Sequence, residues 1–140
     1  MKKLIIIRSF LILITMLVIS SCKSTIILGK KDFVNQFFNN EIVHSSLEEY
    51  YGKNITIYDE NRKITTRPII YKMDSTILSI KNTKPLDNNF FTVYDFIINK
   101  DLAFIVFSTS DKYKGILYYL KRNQRNNKWE IMEMKKRNSR

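Results

Sequence analysis

The sequence predicts an α+β domain, one N-terminal amphipathic helix packed on a curved antiparallel sheet, and three observations point to it. Apolar residues recur at helical spacing in one stretch, DFVNQFFNNEIVHSSLEEYY, residues 32 to 51. After Gly52 the apolar period becomes two and stays so through short segments parted by turn formers. A sheet with one apolar face needs a helix to cover it, and only one helix is apparent.

In the helical stretch, Phe33, Val34, Phe37, Phe38, Ile42, Leu47 and Tyr50 fall near one face. Asp32 suits the cap that opens the helix and Gly52 the position after its last turn. The strands are then read at residues 54–58 (NITIY), 64–71 (ITTRPIIY) and 76–81 (TILSIK), with Pro68 confining the second to an edge or bulge because proline has no N–H to give a ladder. KNTKPLDNN at 81–89 is a loop. Residues 90–98 and 102–109 form a hairpin about Asn99-Lys100-Asp101, and residues 115–122 and 128–134 another about NQRNN. The last residues, KKRNSR, are expected to fray.

The series AFIVFSTS, GILYYLKRN and KWEIMEMK resembles the closing three strands of NTF2-like and cystatin-like domains, in which the last strand carries a tryptophan followed by an aliphatic residue. The resemblance covers about fifty residues and implies one of those folds. Of the two, the cystatin-like plan, with a single helix on a curved sheet, fits the pattern more closely.

The N-terminus has its own logic. Lys2, Lys3 and Arg8 precede Phe10 to Ile19, FLILITMLVI. Ten helical residues span about 15 Å at roughly 1.5 Å each, half of a bilayer core of about 30 Å. The stretch therefore reads as the apolar region of a signal peptide. The residues that follow, Ile19-Ser20-Ser21-Cys22, resemble the lipobox of bacterial lipoproteins. That resemblance implies cleavage between Ser21 and Cys22, acylation of Cys22, and a bilayer as the first partner. Two or more acyl chains give stable anchoring where one does not. Lys23, in place of an aspartate, implies the outer membrane, and the lack of an acidic cluster after Cys22 implies its periplasmic face. The resulting organisation is a signal peptide at 1–21, a lipidated cysteine and tether at 22–31, one domain at 32–135 and a basic tail at 136–140.

Cys22 is the only cysteine, so its acylation leaves no thiol for a disulfide, for catalysis or for a metal. The net charge of +11 lies mostly at the ends. Residues 22–120 hold 13 basic and 11 acidic side chains, whereas the last twenty hold eight basic and two acidic. Isoleucine, lysine and asparagine supply 21, 17 and 13 residues against a single alanine, a bias of AT-rich codons that explains part of the lysine without invoking a partner. Export argues against nucleic acid as that partner. A basic C-terminal hairpin in the company of Tyr118, Tyr119 and Trp129 is better suited to anionic lipid or to a protein of the envelope.

Catalytic signals are sparse. The one histidine, His44, has Glu41, Glu48 and Glu49 nearby on the helix, too few nitrogen or sulfur donors for a metal site, and is expected to be solvated. No cofactor is expected. Asp95 lies in FFTVYDFII, apolar on both faces, and is the one carboxylate whose placement would suit a general base in a pocket of the NTF2-like isomerase kind; pairing with a cross-strand Lys or Tyr is the plainer expectation. The reading is thus a lipid-anchored binding or accessory module facing the periplasm, immunity proteins that neutralise incoming toxins included. The alternative is a small-ligand or isomerase-like pocket between helix and sheet. Cys22→Ala should abolish incorporation of labelled palmitate and leave the precursor uncleaved; an unchanged mass and membrane fraction would refute the lipobox reading.

Overall fold

The structure is a computed structural model and describes residues 29–138, so Ser21, Cys22 and the rest of the signal and tether lie outside the described residues. The chain divides into Met1–Asp32, of which only the helical residues 29–32 are described, and Phe33–Arg140, which holds the core. Helix α1 is described over residues 29–38 and α2 is Glu41–Tyr51. Seven strands follow: β1 Asn54–Tyr58, β2 Ile69–Met73, β3 Thr76–Lys81, β4 Phe91–Ile98, β5 Leu102–Thr109, β6 Lys114–Arg122 and β7 Trp129–Asn138. The class is α+β and the sheet is curled, as expected.

Three details differ from the sequence reading. First, the single helix is two. Asn40 has extended backbone (φ −92°, ψ 128°), and its side chain accepts the Ile42 N–H at 2.9 Å as the cap of α2. Asparagine side chains compete with helical backbone bonds, and two in succession break the helix. The break shifts the apolar phase by one residue. Val43 is fully buried, and Ile42, expected on the inner face, is 51% exposed.

Second, β2 begins five residues late. The fully buried Asp59 carboxylate accepts the N–H groups of Lys63, Ile64 and Thr65 at 2.7, 2.8 and 2.9 Å. Those donors are spent on a loop and cannot join a ladder. Asn82 Nδ2 fastens the same loop by donating to the carbonyls of Asp59 and Thr65, both at 3.1 Å.

Third, the sheet is mixed. Its order is β2-β3-β1-β4-β5-β6-β7, and β1 runs parallel to both of its neighbours. The β2–β3 hairpin crosses beyond β1 and returns alongside it, which turns a meander into a parallel centre. Only Ile57↔Phe91 and Tyr58↔Thr92 pair across the β1–β4 seam. The other four strands, β4 to β7, are antiparallel neighbours in chain order. β7 runs on to Asn138, opposite Lys114, so Lys135, Lys136 and Arg137 belong to a strand and are not a frayed tail.

The core lies between the helices and one face of the sheet. From α1, Phe33 meets Trp129 edge-on with ring centroids 5.0 Å apart, and Phe38 stacks on Tyr71 at 5.3 Å. Trp129 is on one edge strand and Tyr71 on the other. A flat seven-stranded sheet would hold its edges roughly 29 Å apart at about 4.8 Å per strand. Phe33 and Phe38 are only about 7.5 Å apart along a helix at about 1.5 Å per residue. One helix touches both edges because the sheet curls around it. Between them Phe37 packs on Phe107 and Tyr118 at 6.2 and 5.2 Å. Burial pushes the Tyr118 hydroxyl well above the usual tyrosine range. It lies 2.6 Å from Ser46 Oγ, whose own hydrogen goes to the Val43 carbonyl at 3.0 Å, so Tyr118 is the donor.

Asp59→Ala would leave three N–H groups without their acceptor, that of Ile64 buried and those of Lys63 and Thr65 half-buried, and should cost about 3 kcal/mol. Asp59→Asn, which keeps one acceptor oxygen, should recover part of this. Urea midpoints compare the two, and equal midpoints for wild type and the alanine variant would refute the anchoring role.

Candidate functional site

β4, β5, β6 and β7 alternate between the helix-covered face and a second face that neither helix covers. On the second face the pairing sets up three rows: Ile97, Phe104, Tyr119 and Glu133; then Asp95, Val106, Leu117 and Lys135; then Thr92, Ser108, Gly115 and Arg137. The first row is an exposed apolar stripe, with Ile97 57% and Tyr119 44% exposed and the rings of Phe104 and Tyr119 5.0 Å apart. The last row has small residues at its centre, Ser108 and Gly115, and the surface dips there.

That dip is a groove of about 550 Å³. Its floor comes from Val106, Leu117, Ser108 and Gly115, and its walls from Tyr94 and Tyr113. Gly115 is required by the ladder itself: a Cβ there would stand 2.9 Å from the Phe107 carbonyl oxygen. Tyr94 is turned out by a β-bulge between Val93 and Asp95, in which one extra residue faces a single residue of β5. Lys63 holds the bulge by donating from Nζ to the Tyr94 carbonyl at 2.7 Å. The loop anchored by Asp59 therefore also fixes one wall of the groove.

The other wall stands on the β5–β6 turn. Asp111 Oδ1 accepts the Thr109 hydroxyl at 2.6 Å and the Tyr113 N–H at 3.0 Å. The hydrogen bond from Thr109, then that from the Tyr113 backbone, hold the Asp111 carboxyl below the usual range. Lys112, at φ 63°, takes the left-handed conformation that L-residues with a Cβ adopt uncommonly, and this puts its side chain at the rim. Three cations stand on this side of the sheet, Lys112 at the turn and Lys135 and Arg137 of β7, whereas Lys114 and Lys136 alternate toward the helix side, where Lys136 pairs with Glu49 of α2. Lys135 pairs with Glu133 at 2.9 Å and Asp95 lies one strand from Val106, so the positive end of the groove is that of Lys112 and Arg137.

The residues singled out in the sequence are scattered. Asp95 is not among apolar neighbours. Beyond the bulge the faces of β4 exchange, so Asp95 lies on the open face, 42% exposed and 3.8 Å from Lys63 Nζ, and accepts the Phe96 N–H at 2.8 Å. His44 is not solvated. It is buried, and its Nε2–H donates to the Phe38 carbonyl at 2.7 Å across the helix break. Of the aromatic residues in the basic hairpin only Tyr119 faces outward, since Tyr118 and Trp129 are in the core. The helix–sheet space, where a pocket was the alternative expectation, is filled by Phe33, Phe37, Phe38, Phe91, Phe107 and Tyr118. The groove was missed because β7 was ended too early. Its signal was the run of Lys135, Lys136 and Arg137 in register with Leu117, Ile116 and Gly115.

No protein-family model, no curated protein and no solved structure matches this chain.

The lowered Asp111 carboxyl has a stated sign. Its contribution to stability is complete above the ordinary aspartate pKa of about 3.9 and is lost as the pH falls through the lower folded value. Asp111→Asn should therefore be destabilised relative to wild type at about pH 6, with the difference shrinking toward about pH 2 as the wild-type carboxylate is protonated. Urea midpoints over that range measure it, and a pH-independent difference would refute it.

Proposed function

We propose that this chain is a small bacterial envelope lipoprotein, cleaved before Cys22 and acylated there. Its domain acts as a binding module that docks another protein on the open face of its sheet. The address rests on the lipobox-like Ile19-Ser20-Ser21-Cys22 after a short apolar run. The outer membrane, facing the periplasm, is inferred from Lys23 and the non-acidic residues after it. The fold is inferred to follow a cystatin-like or NTF2-like plan, which the consecutive antiparallel strands β5 to β7 and the inward Trp129 support.

The observation that carries the binding role is the row of exposed Ile97 and Tyr119 with half-buried Phe104 between them, on a face that neither helix covers. Contiguous apolar surface rimmed by charge is characteristic of interfaces, where tyrosine and arginine are enriched. A ligand pocket built on Asp95 finds less support, because that carboxylate is exposed beside Lys63 and the space beneath the helices is filled with rings.

A photo-cross-linking residue at Tyr119 should give one defined protein adduct in intact cells. The adduct should be lost when Ile97→Asp is added and should not form from Ser45, which is exposed on α2. The same adducts from both positions, or none from Tyr119, would overturn the docking role.

A further inference from the structure

The groove at the end of the open face differs in chemistry from the apolar row beside it. We infer that it binds an acidic segment of the partner protein, carboxylates at the rim and an apolar side chain on the floor. This deepens the proposed docking role and rests on it.

Charge comes first. Lys112 and Arg137 stand at the groove without a carboxylate among its lining residues, and neither has an ion pair among the described residues. Cations held together in this way repel one another and are relieved by an anionic partner, which also gains speed of encounter from the field. Shape comes second. Val106 and Leu117 give an apolar floor between two tyrosine walls, Tyr94 at 70% and Tyr113 at 65% exposure. A volume near 550 Å³ is more than a lone anion fills and suits a few side chains of a peptide. Preorganisation comes third. The main chain under both walls is fixed before any partner arrives, at Tyr94 by the bulge and Lys63 and at Tyr113 by the Asp111 turn. Binding then has only the exposed tyrosine rings to order, which favours affinity.

The test uses the full chain in detergent and a fluorescein-labelled peptide of alternating glutamate and leucine. Anisotropy should show binding that weakens with salt, and an alternating glutamate–glycine peptide should bind less well for want of the floor contact. Lys112→Gln with Arg137→Gln should weaken binding by about tenfold or more. A control of equal charge, Lys53→Gln with Lys84→Gln, exposed on the β1–β3 side, should leave it within about twofold. Equal losses from both sets would reduce the effect to net charge and overturn the inference. Binding to phosphatidylglycerol vesicles without binding to the peptide would overturn it in favour of lipid. If the groove variant leaves the Tyr119 adduct intact, the acidic-segment inference falls while the docking face stands. If no adduct forms at Tyr119, the docking role itself falls.

Discussion

Two short helices must cover one face of seven strands, and three phenylalanines of α1 make that possible. Phe33 at one edge strand and Phe38 at the other sit one and a half helical turns apart, so the sheet has to curl until both edges reach the same helix. Phe37 fills the space between with Phe107 and Tyr118. Aromatic pairs contribute about 0.5–1.5 kcal/mol each beyond the area they bury. Against a typical net stability of 5–15 kcal/mol, such a cluster decides whether the domain folds. The same curl turns the reverse face of the sheet outward, and among the described residues no further helix covers it.

The open face follows from the division of labour between side chains and backbone. Rings dominate the covered face, and the polar fasteners sit at its margins. Asp59 ties down the loop before β2, Asn40 stops one helix and starts the next, and His44 bridges the break by bonding the last carbonyl of α1. On the other face the groove arises where volume is missing, at Ser108 and Gly115, and where a bulge pushes Tyr94 aside. A binding surface here consists of what the core did not use.

Most of the strands could be read from period two because each has one covered face. β1, β3 and β5 begin and end where that pattern does. The failures share a different cause, a local polar contact or a long-range pairing that periodicity does not record. Asn39-Asn40 looked like two solvated helix residues and is a break. Residues 64–67 alternate like a strand, but the N–H groups of Ile64 and Thr65 go to Asp59 and that of Arg67 to the Thr65 hydroxyl. The parallel placement of β1 depends on where a hairpin twenty residues away is laid down. Asp95 was weighed as a carboxylate in a strand apolar on both faces, but one extra residue before it turns it to the open face. The groove was half visible, as a basic run whose strand character was overlooked; its tyrosine wall depended on the same bulge.

The narrow seam between β1 and β4 bears on how the chain assembles. β4 to β7 need only neighbours reached through short turns, while β1 must wait for partners on both sides that come later in the chain. Loop closure is slower for distant contacts, so the meander forms early and the β2–β3–β1 piece joins it last. Until then the edge of β4 is bare, and a bare strand edge is a template for the wrong partner. Two rungs and the loop held by Asp59 close that window, which makes the smallest contact area in the sheet the step on which safe maturation of the domain turns.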